Sequence, residues 1–158
     1  MTSISTTVGR PRPFSPLALA AAVVSLCERI PLSFVQLAAR VAIAHLFWNS
    51  AQSKLASWPV TIQLFAMEYR VPLIPSDTAA VLATVTELGG ACLLLIGLIT
   101  RFAALALLGV VAVIQLFVFP GHWGEHLLWA SLLLLIVARG GGTISLDSLI
   151  QRLFFKAD

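Results

Sequence analysis

The residues able to do chemistry in this 158-residue chain are few, and they sit inside apolar stretches. Glu87 is the one charged residue between Thr78 and Ile99. A preceding stretch, Leu32–Ala56, carries Arg40, His45, Asn49, Gln52 and Lys54, a later one carries Gln115, and His122, Glu125 and His126 open the last. An ionisable group in such a setting needs a partner or a task, because apolar surroundings penalise its charged form. A rise of about 1.5 Å per residue puts Glu87 and His45 at one depth, with Arg40 about 6 Å away and in reach through its long side chain. The spacing predicts a Glu87–Arg40 pair or a Glu87–His45 hydrogen bond. Two roles are open for it. The pair can fix helix register, or Glu87 can carry protons with Arg40 and His45 completing a catalytic set.

A second cluster lies further along. At about 100° per residue, His45, Asn49 and Gln52 fall within an arc of about 60°, expected to face the interior. Asn49, Gln52, Lys54, Gln115, His122, Glu125 and His126 reach similar heights among Trp48, Phe117 and Trp129. Polar groups converging among aromatics describe a small-molecule pocket. A quinone, which needs donors to two carbonyls and an apolar path for its tail, fits that description, although the residues fix no cofactor. Lys54, Gln52, Asn49, Gln115, His126 and Trp129 are the candidate binding residues. His122 and His126, four apart, share a helical face as metal ligands do. Two histidines do not make a metal site, and no metal is assigned; hydrogen bonding at an interface is their other use. Cys27 and Cys92 have no ligand or disulfide spacing.

The elements that hold these residues are those of a membrane protein. Hydrophobic residues make up 59% and charged ones 11%, and mean hydropathy is +0.96. Soluble domains run at about 45–50% and 25%, so a disordered chain, a nucleic-acid module and a disulfide-stapled domain are excluded. A bilayer needs about 20 apolar helical residues per crossing. Four stretches approach that: about 32–56, 78–99, 102–119 and 123–138. Thr100-Arg101 and Pro120-Gly121 read as tight turns, so an all-α, antiparallel bundle of four transmembrane helices is expected, as one domain. With both termini cytoplasmic, seven of the ten basic residues lie inside, among them Arg10, Arg12 and Lys156, against Lys54 and Arg70 outside.

Short interfacial helices complete the expected fold. Leu17–Leu26 resembles a signal-peptide core, but Leu26 is too bulky to precede a cleavage site, and a retained surface helix is expected instead. Ile62, Phe65, Ala66 and Tyr69 share one face between the first two spans, as an interfacial cap or as a lid over an outward-facing site. After Arg139 and three glycines, Ser145 reads as an N-cap, and residues 146–155 as an amphipathic helix for the headgroup layer. Four short helices leave enough lipid-facing surface for a homo-oligomer, but nothing marks an interface.

These residues resemble the DoxX family from about Glu28 to Leu149. The resemblance is carried by Val71-Pro72-Leu73-Ile74-Pro75, Glu87-Leu88-Gly89-Gly90, and Leu93 through Arg101. Phe47-Trp48-Asn49-Ser50-Ala51-Gln52-Ser53-Lys54 is similar to the family's "FW-SG" segment with its lysine, with Ala51 in place of glycine and Asn49 in place of arginine. Arg139-Gly140-Gly141-Gly142-Thr143-Ile144-Ser145-Leu146-Asp147 resembles its closing motif, with Gly141 in place of proline. His126-Leu127-Leu128-Trp129-Ala130 is similar to a proteobacterial branch. The resemblance implies a four-helix protein of the bacterial inner membrane, acting as an accessory redox subunit beside a partner oxidoreductase and a quinone. The alternative is a non-catalytic scaffold or transport factor in a copper or modified-peptide system. The shared glutamate, lysine and histidine map to Glu87, Lys54 and His126. Whether the chain turns over a substrate is left open.

Overall fold

In the computed structural model, which describes residues 16–154, every regular element is helical. Apolar surroundings explain that choice, since a helix satisfies its backbone polar groups within one segment. The chain divides after Pro31 into two compact units. The first contains α1 (Pro16–Cys27), an apolar helix without a charged residue. The second contains α2 (Leu32–Ala56), α3 (Trp58–Leu64), α4 (Ser76–Ile96), α5 (Thr100–Val113), α6 (Trp123–Arg139) and α7 (Leu146–Phe154). Two segments widen into π-helix, Phe65–Tyr69 after α3 and Ile114–Val118 after α5. Arg10, Arg12, Lys156 and the last residue of the expected tail helix lie outside the described residues.

Helices α2 and α5 each pack against both α4 and α6, which closes the four into a ring. Ile43, Phe47, Leu94, Leu107, Leu133 and Ile136 fill its centre, separated by buried alanines on α2, α4 and α5. Small side chains let the helices approach closely. The limit is reached at Gly90, where an added Cβ would meet Leu107 Cγ at 2.7 Å.

Two segments, Ser76–Ile96 and Thr100–Val118, are long and apolar enough to cross a bilayer, and the count rises to three if α1 and α2 form one broken span. The other two expected crossings fall short for physical reasons. Helix α2 carries Gln36, Arg40, His45, Asn49, Gln52 and Lys54, and α6 has 17 residues with a polar first turn.

Those polar residues on α2 do specific work at one end of the ring. The last carbonyls of a helix have no intrahelical donor, and water is scarce in apolar surroundings. Arg40, 1% exposed, supplies donors: Nε to Leu94 O at 2.7 Å and Nη2 to Leu95 O at 2.9 Å, at the end of α4. Its Nη1 donates to Gly141 O at 2.9 Å and Ile144 O at 2.7 Å. Gln36, one turn earlier, donates Nε2 to Arg139 O and Gly140 O, both at 3.0 Å, at the end of α6. Asp147 does the converse for α5. Its carboxylate accepts from Ile99 N–H, Thr100 N–H and the Thr100 hydroxyl at 2.7–2.9 Å. Ser145 Oγ accepts from Ser148 N–H at 3.2 Å as the N-cap of α7.

This arrangement corrects two expectations. The predicted Glu87–Arg40 pair is absent, because four of the five Arg40 N–H groups donate to backbone carbonyls. The turn between α4 and α5 is Gly97-Leu98-Ile99 rather than Thr100-Arg101. Gly97 takes φ +80°, and an added Cβ there would meet Arg40 Nη2 at 2.5 Å. Thr100 already belongs to α5, started by Asp147.

Arg40→Met leaves four carbonyls without donors and should lower the unfolding free energy in mixed micelles by at least about 3 kcal/mol. Arg40→Lys should recover only part of that, since an ammonium lacks the guanidinium fork. Wild-type stability in Arg40→Met would show that the carbonyls find other donors.

Candidate functional site

Lys54 lies 14 residues beyond Arg40 on α2, about 21 Å along the helix. Its Nζ donates to Glu87 Oε2 on α4 at 2.7 Å and to Ser50 Oγ at 2.7 Å. The Glu87 side chain is 1% exposed and that of Lys54 16%. This is the one ion pair among the described residues. Taking a lone charge out of water costs several kcal/mol, so the pair stands or falls together. Thr61 Oγ1, donating to Lys54 O at 2.8 Å, ties α3 to the end of α2 beside it.

The pair forms part of the wall of a cavity of about 710 Å3 between α2, α4, α5 and α6. Most of the wall is apolar, including Phe47, Leu82, Val110 and Val113. Its polar members are Ser50, Lys54, Tyr69, Thr86, Glu87, His122, Glu125 and His126. Phe65, Tyr69 and Val71, from the connection between α3 and α4, close one side. Both π-helical turns border the cavity, through Phe65 and Tyr69 and through Ile114 and Val118. Such turns shift the register of the side chains they carry.

The register of Ile114–Val118 brings Gln115 to His126. Gln115 Nε2 donates to Pro120 O at 2.8 Å, and His126 Nδ1 donates to Gln115 Oε1 at 2.5 Å. Both side chains are buried, at 7% and 4% exposure. Rings continue on either side of His126, with centroids 5.1 Å from Trp129 and 6.3 Å from His122, and onward through Phe119 to Tyr69. Burial raises the Tyr69 phenol above its usual range, with the negative charges of Glu68 and Glu87 adding to the effect. Tyr69 therefore stays a neutral hydroxyl.

The structure divides the expected site residues. Lys54, Glu87, His126 and Trp129 line one cavity, joined by His122, and Gln115 stands behind His126. His45, Asn49 and Gln52 do share a face, but it is the outer one: all three are exposed and none lines the cavity. His45 Nε2 meets Asn49 Nδ2 at 3.0 Å, so the alternative His45–Glu87 hydrogen bond is absent too. The packed face of α2 is set by Gln36, Ala39, Arg40, Ile43, Ala44, Phe47 and Ala51, which leaves the His45 stripe facing away. Among the described residues no three His, Cys, Asp or Glu side chains come together as a metal would need. Tyr69, expected only on the face of a cap or lid, and Ser50, not expected at all, both line the cavity. The shared face of Phe65 and Tyr69 was the signal for the first; Ser50 gave none.

Lys54→Met leaves the Glu87 carboxylate buried without a cation and should destabilise by about 3 kcal/mol in equilibrium unfolding. Adding Glu87→Gln should restore most of that loss. Additive losses in the double variant would mean the two residues are not coupled.

Comparison with known proteins agrees with this picture at the level of family. A search of curated proteins and of solved structures finds no match. The DoxX family profile matches residues 35–120, more than half of the chain. That stretch holds Arg40, Lys54 and Glu87 and runs through the π-helical turn with Gln115. The chain belongs to the DoxX family.

Proposed function

We propose that the protein is an accessory subunit of a redox system in the bacterial inner membrane, which binds a quinone or similar lipid-soluble electron carrier in the cavity. The single observation that carries this reading is the cavity's make-up: about 710 Å3, mostly apolar, with one charged pair and one buried imidazole on its wall. Ligand sites of this kind enclose an apolar body and orient it by few polar groups. Lys54 has a third N–H without a partner among the described residues and would donate to the head group. Trp129 and Phe47 would pack against the ring, and Val110 and Val113 along the tail. Tyr69 and Phe65 would cover the head, so the connection between α3 and α4 acts as a lid.

In this proposal α2, α4, α5 and α6 cross the bilayer as an antiparallel bundle with both termini cytoplasmic. The ring of four helices supports it, as do the many exposed large apolar side chains along them, such as Val41, Val85, Phe102 and Leu128. Helix α7, with Leu149, Leu153 and Phe154 exposed, would lie in the headgroup layer. Electrons would come from a partner oxidoreductase, since the chain has no dinucleotide fingerprint or thiol pair.

Titration of the purified protein with a short-tailed benzoquinone should give saturable tryptophan quenching. Ala83→Phe, which fills the cavity from α4, should weaken it at least tenfold, whereas His45→Ala on the outer face should leave it unchanged. Quenching that never saturates, or that is indifferent to Ala83→Phe, would contradict the reading.

A further inference from the structure

The hydrogen bonds behind His126 decide which face of its ring is a donor. A backbone carbonyl can only accept, so the Gln115 amide nitrogen must face Pro120 O and its oxygen must face His126. That oxygen can also only accept, so the His126 proton is on Nδ1. The ring is buried, and among the described residues no carboxylate lies within ion-pair distance of it. With the Nδ1 proton held by Gln115, Nε2 is the nitrogen of the imidazole that carries the lone pair. Nε2 has no hydrogen-bond partner among the described residues, and His126 borders both the cavity and a smaller pocket beside Gln115. The same reasoning applies to Glu87. Oε2 is taken by Lys54, while Oε1 has no partner among the described residues. Both residues line the cavity.

We propose that the cavity discriminates between redox states and favours a hydroxyl-bearing, reduced carrier over its carbonyl-bearing, oxidised form, with Glu87 Oε1 and His126 Nε2 as the two acceptors. This inference rests on the reading that the cavity takes a quinone-type ligand. A hydroquinone brings two O–H donors, which these acceptors satisfy. A quinone brings two carbonyl oxygens whose lone pairs would face the lone pairs of the wall. Lys54 does not discriminate, because its free N–H can donate to a carbonyl or to a hydroxyl oxygen. Gln115 is a positioning residue: it touches no ligand and acts by holding the His126 tautomer.

The test compares a decyl-substituted benzoquinone with its hydroquinone, anaerobically, by tryptophan quenching of the detergent-solubilised protein. The hydroquinone should bind at least tenfold more tightly, which raises the potential of the bound two-electron couple by about 30 mV. His126→Leu should weaken hydroquinone binding at least tenfold and quinone binding less than threefold. Gln115→Leu, which releases the tautomer, should narrow the preference while binding persists. Equal binding of the two forms, or tighter binding of the quinone, overturns this inference and leaves the carrier reading intact. Absence of binding by either form overturns both.

Discussion

A carboxylate set among apolar helices is tolerated only with a cation against it, and the Lys54 ammonium 2.7 Å from Glu87 meets that requirement. Much of the site follows from this contact. It fixes the register of α2 against α4, because both side chains leave the middle or end of a helix with little freedom. It brings Ser50 into the polar wall as a second acceptor for the ammonium. It uses one carboxylate oxygen and leaves the other, which is what gives the cavity an acceptor of its own.

The opposite end of α2 solves a different problem with the same economy of polar groups. Gln36 and Arg40 close the ends of α6 and α4, and Asp147 reaches back to open α5. Part of the sequence that carries the family resemblance lies here: Gly97 for the left-handed turn, Thr100 as a partner of Asp147, and the three glycines whose loop offers carbonyls to Arg40. These residues are helix caps, not reactants. The residues with chemistry to offer sit about 21 Å away along α2.

Helix positions were readable from the sequence because apolar run length and Gly or Pro breaks determine them. So was the isolation of Glu87 in an apolar stretch, and the convergence of Lys54, His126 and Trp129. Angular arithmetic failed at a definable point. It groups His45, Asn49 and Gln52 on one face correctly but does not say which face packs, and the alanines and Phe47 opposite settle that. Arg40 goes to backbone carbonyls, acceptors that every residue carries and that no side-chain pattern marks. The π-helical turns, which move Gln115 to His126 and Tyr69 to the cavity, have no local signature.

The pairing of Glu87 is most directly measured by solid-state NMR of the protein in lipid, with carbon label in glutamate and nitrogen label in lysine or arginine side chains, using Glu87→Gln to assign the signal. Dipolar recoupling between the Glu87 carboxyl carbon and the Lys54 ammonium should report a separation under about 4 Å. A Glu87 carboxyl carbon with no lysine nitrogen in range, or one coupled to the Arg40 guanidinium, would contradict the account.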